Sequence, residues 1–419
     1  MMNGHAHTRV DTGFQVMVKP VGPVCNLSCT YCFYRYKQDL LPPAHDWNMS
    51  IETLEIFVRQ YLERQPPGHP VQFVWQGGEP CLRGIDFFSQ AVTFQQRYRT
   101  SGQEISNALQ TNTTLITDEW ARFLHAEDFL VGVSIDGPQA IHDHYRKDAH
   151  AQGSFDRVMS GLDFLKTRGV RVNAMTCVTD VSEHEPRALY TFLKEHFDFI
   201  QFIPIVEEKT FRKEAPFLKK SRKWERKSPK SRSDLVTPWS VSPGGYGTFL
   251  SSVFDAWVRQ DVGTISVQVF EETLAHWLSM PGGLCIFSPT CGRALVMEHN
   301  GDVYSCDHFV YQPYRLGNIR EKRLEELADH PAQVRFGRDK LLRLPSQCRK
   351  CEYGALCAGG CPKHRILRTP SGERELNYLC EAYRAFFSFS EPAMRFMARE
   401  LSEGRPPSGI MDHLRRAKR

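Results

Sequence analysis

Apolar residues in the first half of the chain fall into short β-branched and aromatic runs separated by longer stretches with helical spacing. Six runs recur: "FQVMVKP" (14–20), "VQFVWQGG" (71–78), "ISNALQTN" (105–112), "FLVGVSIDG" (129–137), "VRVNAMTCVT" (170–179) and "FIQFIPIV" (199–206). Between them lie helix-like stretches such as "SIETLEIFVRQYLERQ" (50–65), which Ser50 and Thr53 suit as a start, and "GSFDRVMSGLDFLKTRG" (153–169). This alternation predicts a parallel sheet with right-handed crossovers, open or curled into a full or partial barrel. Polar residues collect at the carboxyl ends of the runs: Cys25, Gly77, Gly78, Glu79, Asn112, Ser134, Asp136 and Thr179. Any one of them could simply cap the next helix. As a set they stand where parallel α/β folds bind ligands.

After residue 206 the pattern changes. Residues 207–245 read as a basic insertion or linker and 246–284 as a helical connector. "ALVMEHNGDVYSC" (294–306) predicts a hairpin around Asn300-Gly301. From Cys348 to Cys380 the chain is loop-rich, with too little apolar material for a core of its own, so it needs metal to hold it. The expected division is a barrel over 14–206, a metal-bearing domain over 285–385, and a C-terminal helix with a basic tail over 386–419.

Composition narrows the class. With 41% hydrophobic and 24% charged residues, the 419-residue chain is globular. No apolar run reaches membrane-spanning length and the first residues lack the apolar stretch of a secretory leader, so the expectation is a cytoplasmic protein without a membrane partner. The net charge of +5 is local: residues 209–232 hold eleven Lys and Arg against two Glu, which leaves the rest of the chain acidic. That run holds three aromatics, Phe211, Phe217 and Trp224, against eleven cations. It reads as a solvated loop, and nucleic acid is not an expected partner.

Thirteen cysteines in a reducing compartment point to metal ligation rather than disulfides. "CNLSCTYC" sets Cys25, Cys29 and Cys32 within eight residues, directly after a strand. Three thiolates can hold three irons of a cubane cluster and leave the fourth iron open, whereas zinc takes four ligands, usually as two separated pairs.

With Tyr31 before its last cysteine, this motif resembles that of the radical S-adenosylmethionine superfamily, whose fold is a partial (β/α)6 barrel. "QGGEP" (76–80) is similar to that superfamily's glycine-rich motif, in which backbone groups of Gly77, Gly78 and Glu79 would meet the methionine amino group. The later cysteines Cys291, Cys306, Cys348, Cys351, Cys357, Cys361 and Cys380 resemble the seven-cysteine SPASM pattern of radical enzymes that modify peptides, and Cys285 adds an eighth thiol. Eight thiolates suffice for two fully ligated [4Fe–4S] clusters.

From about residue 14 to residue 412, "WQGGEP", "LVGVSIDGP", "QFIPIVE", "PTCG", "EHNGDVYSCDHFVY" and "CPKHR" extend the resemblance to one branch, the anaerobic sulfatase-maturating enzymes. The resemblance implies an α/β fold: a partial (β/α)6 TIM-type barrel followed by a loop-rich SPASM domain. It also implies S-adenosylmethionine and three [4Fe–4S] clusters as cofactors. The implied reaction is oxidation of a Cys or Ser side chain in an unfolded or nascent sulfatase polypeptide to Cα-formylglycine, with an electron donor such as flavodoxin or ferredoxin, by a monomer.

Residue by residue, the resemblance assigns S-adenosylmethionine contacts to Tyr31, Gly78, Ser134, Arg146 and Val206. It gives one auxiliary cluster to Cys285, Cys291, Cys306 and Cys361 and the other to Cys348, Cys351, Cys357 and Cys380. Asp307, beside a cluster ligand, would take the proton when a neighbouring cluster takes the electron. Read without the resemblance, Asp307 is a strand-end carboxylate paired with backbone or an Arg. His308 and His364 read as donors to cluster sulfurs or as packed residues, and Cys81 and Cys177 as packed thiols.

Two other readings compete. One is a SPASM maturase that crosslinks ribosomal peptides, which would carry an N-terminal precursor-binding module where this chain begins its first strand near Phe14. The other is a non-catalytic iron–sulfur or zinc protein that binds a partner, which leaves "CNLSCTYC" and the barrel pattern without a purpose. The chain departs from the branch pattern at Cys81, where Thr is usual, at Thr113, where Gly is usual, and in the length of the basic stretch.

Overall fold

A computed structural model describes residues 13–41, 46–66, 68–209 and 234–416. The six apolar runs form strands β1 Gln15–Val18, β2 Val71–Trp75, β3 Ile105–Thr111, β4 Phe129–Ser134, β5 Arg171–Val178 and β6 Phe199–Pro204. Each pairs in parallel with the next, as in Val18 with Trp75 and Thr111 with Val133. Helices α1 Ile51–Glu63, α2 Ile85–Tyr98, α3 Asp118–Ala126, α4 Gln139–Tyr145, α5 Phe155–Thr167 and α6 Pro186–His196 fill the crossovers.

Local chemistry explains these boundaries. The Ser50 hydroxyl accepts from the Thr53 N–H at 3.1 Å and caps α1, which is worth about 1 kcal/mol. On β2, Val71, Phe73 and Trp75 alternate inward and are buried. Phe57 of α1 meets Phe73 edge-on at 5.7 Å, and Phe88 of α2 meets Trp75 at 5.6 Å, so the helices sit on the sheet through interlocked rings.

The sheet does not end with β6. It continues on one side to β7 Ser266–Val267 and on the other to β8 Ala294–Met297, β9 Asp302–Tyr304 and β10 Arg315–Asn318, in the order β10-β9-β8-β1-β2-β3-β4-β5-β6-β7. β8 and β9 form the hairpin predicted around Asn300-Gly301, with Gly301 at φ +87°. β8 also lies parallel to β1, with Val16 opposite Leu295 and Val18 opposite Met297. The expected division at residue 285 is therefore not a break in the sheet. Val16 and Val18 are fully buried, and the β1 edge requires a partner for its backbone groups, which β8 supplies.

The expected division at 385/386 is also displaced, because the C-terminal helix runs over Cys380–Ser402. Its Phe386 packs on Phe254 of α7 Pro243–Gln260 and on Phe270 of α8 Gln268–Trp277, at 5.9 and 5.5 Å between ring centres. A side chain on Gly247 would stand 3.1 Å from the Ala382 Cα, so glycine permits this approach. The basic stretch 209–232 lies outside the described residues except for Lys209. Among the described residues no helix is long and apolar enough to cross a membrane.

Candidate active site

β1 runs out into "KPVGPVCNLSCTYC", which the glycine loop after β2 holds in place. The Gly78 N–H donates to the Gly22 carbonyl and the Glu79 N–H to the Val24 carbonyl, both at 2.8 Å. A Cβ on Gly78 would sit 1.8 Å from the Val24 oxygen, so only glycine fits. These bonds commit the Gly78 and Glu79 N–H groups to the neighbouring loop. No described hydrogen bond ends on the Gly77 or Gly78 carbonyl, which leaves two acceptors for an ammonium group. The Glu79 carboxylate is buried and accepts from the Thr111 hydroxyl at 2.7 Å, the Asn112 N–H at 2.8 Å and the Cys81 N–H at 3.0 Å. Cys81 is itself buried, its thiol 3.6 Å from the Thr111 hydroxyl.

Cys25, Cys29 and Cys32 come together as a set in which each thiolate would repel the others. Burial pushes the Cys25 and Cys29 thiols up to about 12. Three clustered thiols with no fourth among them need a cation to become thiolates, and an iron–sulfur cluster with one open iron meets that need.

Across the barrel mouth, Asp136 just beyond β4 organises a second group. Its carboxylate accepts from the Tyr31 hydroxyl at 2.5 Å, from the Arg146 guanidinium at 2.9 and 3.1 Å, and from the Cys177 N–H at 3.0 Å. His142 stands behind it, its Nδ1 accepting from the Asp136 N–H at 3.3 Å, and burial brings that imidazole down to about 4. Ser134 accepts from Gln110 at 2.8 Å, and Val206 is buried past the end of β6. Tyr31 and Arg146 are thus brought together by Asp136, a residue outside the implied contact set; its place in "SIDG" at a strand end was the available clue. Cys177 is half-buried with its sulfur 3.7 Å from Arg146, so it faces this group and is not a plain core residue.

The later cysteines fall into two groups. Cys361 interacts electrostatically with Cys285, Cys291 and Cys306. Cys380 does so with Cys348 and Cys357, and Cys351 belongs with these. The second group lines a cavity of about 420 Å³ beside Tyr383 and Phe387. Lys340, buried, holds the first group's loop by donating to the Cys285 and Ile286 carbonyls at 2.5 and 3.0 Å. Arg365 ties the Ala358 and Gly359 carbonyls to the Lys340 carbonyl. Among the described residues no three His, Cys, Asp or Glu side chains close to the spacing of a single metal ion.

Asp307 follows β9, and its partner is neither backbone nor an arginine. The Lys19 ammonium, at the end of β1, lies 2.5 Å from the carboxylate. Lys19 is 2% exposed and Asp307 18%, so the lysine sits behind the acid. Burial acts to raise the acid, but the Lys19 ammonium first, and then that of Lys363, hold it below the ordinary carboxylate range. The Lys19 ammonium also lies 3.8 Å over the Tyr34 ring, whose hydroxyl donates to the buried Glu298. Around this pair Lys363 bridges to Glu207 at 3.0 Å, and Tyr36 donates to the same Glu207 at 3.1 Å. His308 and His364 are kept neutral by burial, His308 coming down to about 3. The sequence reading missed Lys19, Glu207 and Lys363, and named Asp136 only as one of the polar residues at strand ends. Lys19 was visible only as a charge closing an apolar run.

Comparison with known proteins adds descent to geometry. Residues 20–193 match the radical SAM superfamily and residues 285–352 match an iron-sulfur cluster-binding domain, SPASM. The chain is 43% identical to a serine-type anaerobic sulfatase-maturating enzyme of Bacteroides thetaiotaomicron, over 96% of this chain and 95% of the relative. It is 32% identical to a cysteine-type anaerobic sulfatase-maturating enzyme of Clostridium perfringens, over 90% and 96%. A solved structure described as native anSMEcpe with bound AdoMet and Cp18Cys peptide superposes with a TM-score of 0.79 at 31% identity, covering 92% of this chain and 99% of that one.

Proposed function

We infer the reaction from descent: the chain belongs to the anaerobic sulfatase-maturating enzymes, a SPASM-bearing branch of the radical SAM superfamily. It is an enzyme that oxidises a Cys or Ser side chain of a sulfatase to Cα-formylglycine with S-adenosylmethionine and [4Fe–4S] clusters. The observation that carries this reading is the match over nearly the whole length of the serine-type relative. When bound, the first cluster and S-adenosylmethionine supply the 5′-deoxyadenosyl radical that removes a hydrogen from the target β carbon.

The chain's own residues divide the remaining work. Cys25, Cys29 and Cys32 hold the first cluster. The Gly77 and Gly78 carbonyls receive the methionine ammonium, with Glu79 bracing their loop from beneath. Tyr31, Ser134, Arg146 and Val206 border the same cosubstrate, Tyr31 and Arg146 being fixed by Asp136. Cys285, Cys291, Cys306 and Cys361 hold one auxiliary cluster, and Cys348, Cys351, Cys357 and Cys380 the other. Asp307 accepts the proton that the substrate thiol or hydroxyl gives up; an ionised acid with one face open suits that role.

The electron donor is of the flavodoxin or ferredoxin class, and the compartment is the reducing cytoplasm. Thirteen cysteines, eleven of them in these sets, support that placement. The test is anaerobic incubation of reconstituted enzyme with S-adenosylmethionine, reductant and two sulfatase-motif peptides, one with Cys and one with Ser at the target position. The expected result is an aldehyde in at least one peptide by mass spectrometry. 5′-Deoxyadenosine without aldehyde in either would point instead to peptide crosslinking.

A further inference from the structure

Asp307 and the barrel belong to distant parts of the chain, and the carboxylate itself meets the barrel through an ion pair. Asp307 stands on the segment that follows β9, beside a cysteine of the C-terminal set. Lys19 stands where β1 leaves the sheet, and its ammonium lies 2.5 Å from Asp307 Oδ1. Of the other buried lysines that act on Asp307, Lys363 is paired with Glu207 at 3.0 Å and Lys37 lies 3.3 Å over the Tyr311 ring. Lys19 is therefore the cation that orients Asp307. The Tyr34 ring under the ammonium restricts it further. The lysine is almost fully buried and the aspartate partly open, so the ion pair holds one carboxylate oxygen while part of the acid stays accessible.

We propose that Lys19 is a positioning residue for the maturation reaction: it acts through Asp307, aiming the carboxylate of the cluster-bearing segment from the end of the first barrel strand. The proposal rests on the reading of Asp307 as proton acceptor. It adds that the barrel, and not the segment carrying the acid, sets where the acid points. An acid misplaced by about 1 Å costs on the order of 100-fold in rate. At 2% exposure the lysine offers almost no surface of its own to a substrate.

The test compares Lys19→Met, Lys19→Arg, Asp307→Asn and the double variant Lys19→Met/Asp307→Asn, each reconstituted anaerobically and checked for iron content. With wild type active on a sulfatase-motif peptide, Lys19→Met is expected to lower kcat for aldehyde by about 100-fold while KM for the peptide changes by less than about threefold. 5′-Deoxyadenosine should then exceed aldehyde. Lys19→Arg should restore at least about tenfold of the loss. In the Asp307→Asn background, Lys19→Met should add no further loss, because a residue that acts only through Asp307 has nothing left to act on. Lys19→Met at wild-type kcat, or a double variant whose losses multiply, overturns the proposal. Loss of iron from Lys19→Met that Lys19→Arg does not repair overturns it as well, in favour of a purely structural role. If wild type forms no aldehyde from either peptide, the underlying reading fails first and this inference falls with it.

Discussion

The ring of Phe33 lies 4.9 Å from the imidazole of His308, centre to centre and tilted by 49°. Phe33 follows Cys32 and His308 follows Asp307, so the loop of the first three thiols touches the loop that carries the acid. Lys363, two residues past Cys361, lies 4.6 Å over the same Phe33 ring. One aromatic side chain thus meets residues flanking two cysteines of the later set, and chemistry at the acid is separable from the ligands only by substitutions that keep this contact.

Asp307→Asn is such a substitution, since it keeps shape and removes charge. Iron content is expected to stay at about twelve per chain, as three four-iron clusters require. Aldehyde formation should fall by about 100-fold or more with 5′-deoxyadenosine still produced, the usual range for loss of a general base. Quantitative mass spectrometry of peptide and nucleoside in one reaction reads both.

The two groups of thiols predict a pattern of iron loss. Cys361→Ala and Cys285→Ala should each remove about four irons, and the two together should still remove about four. Pairing Cys361→Ala with Cys357→Ala should remove about eight. Iron and sulfide analysis with electron paramagnetic resonance of the reduced proteins distinguishes these outcomes. A loss of about four irons in the second pair would mean that those thiols share one cluster.

Thr113 adopts φ +56°, the left-handed region that favours glycine. That conformation costs a side chain about 1–2 kcal/mol. Its hydroxyl offsets part of the cost by donating to the Asn112 carbonyl at 2.8 Å and lying 3.2 Å from that of Val158. Thr113→Gly should therefore be near neutral in thermal stability. Thr113→Val keeps the strain and loses the bonds, and is expected to lose about 1–2 kcal/mol by denaturant titration.

His142, behind Asp136, has its folded-state pKa lowered by burial from 6.5 to about 4. The folded protein thus holds it neutral while the unfolded chain binds a proton below pH 6.5, so its contribution to stability is present above pH 6.5 and is lost as pH falls towards 4. The loss is at most about 3 kcal/mol. His142→Gln should show a shallower fall in stability over that window, read as the difference in melting temperature between pH 7 and pH 5.

Much of this protein was legible in the chain because the relevant physics is local. Apolar patterning within four to eight residues set out β1 to β6, the Ser50 cap began α1, and Asn300-Gly301 marked the β8–β9 hairpin. Three cysteines within eight residues announced a cluster with an open iron. The tertiary structure decided what depends on which strand ends meet. β8 adds to β1 because a buried strand edge needs a partner, and this carries Asp307 to Lys19. Asp136 gathers Tyr31, Arg146 and the Cys177 backbone from a loop, a helix end and a strand. Cys361, four residues past Cys357, interacts with Cys285, Cys291 and Cys306 instead. Spacing cannot reveal such partners, because electrostatic and packing energies depend on distance in space, and the order of strands in the sheet sets those distances.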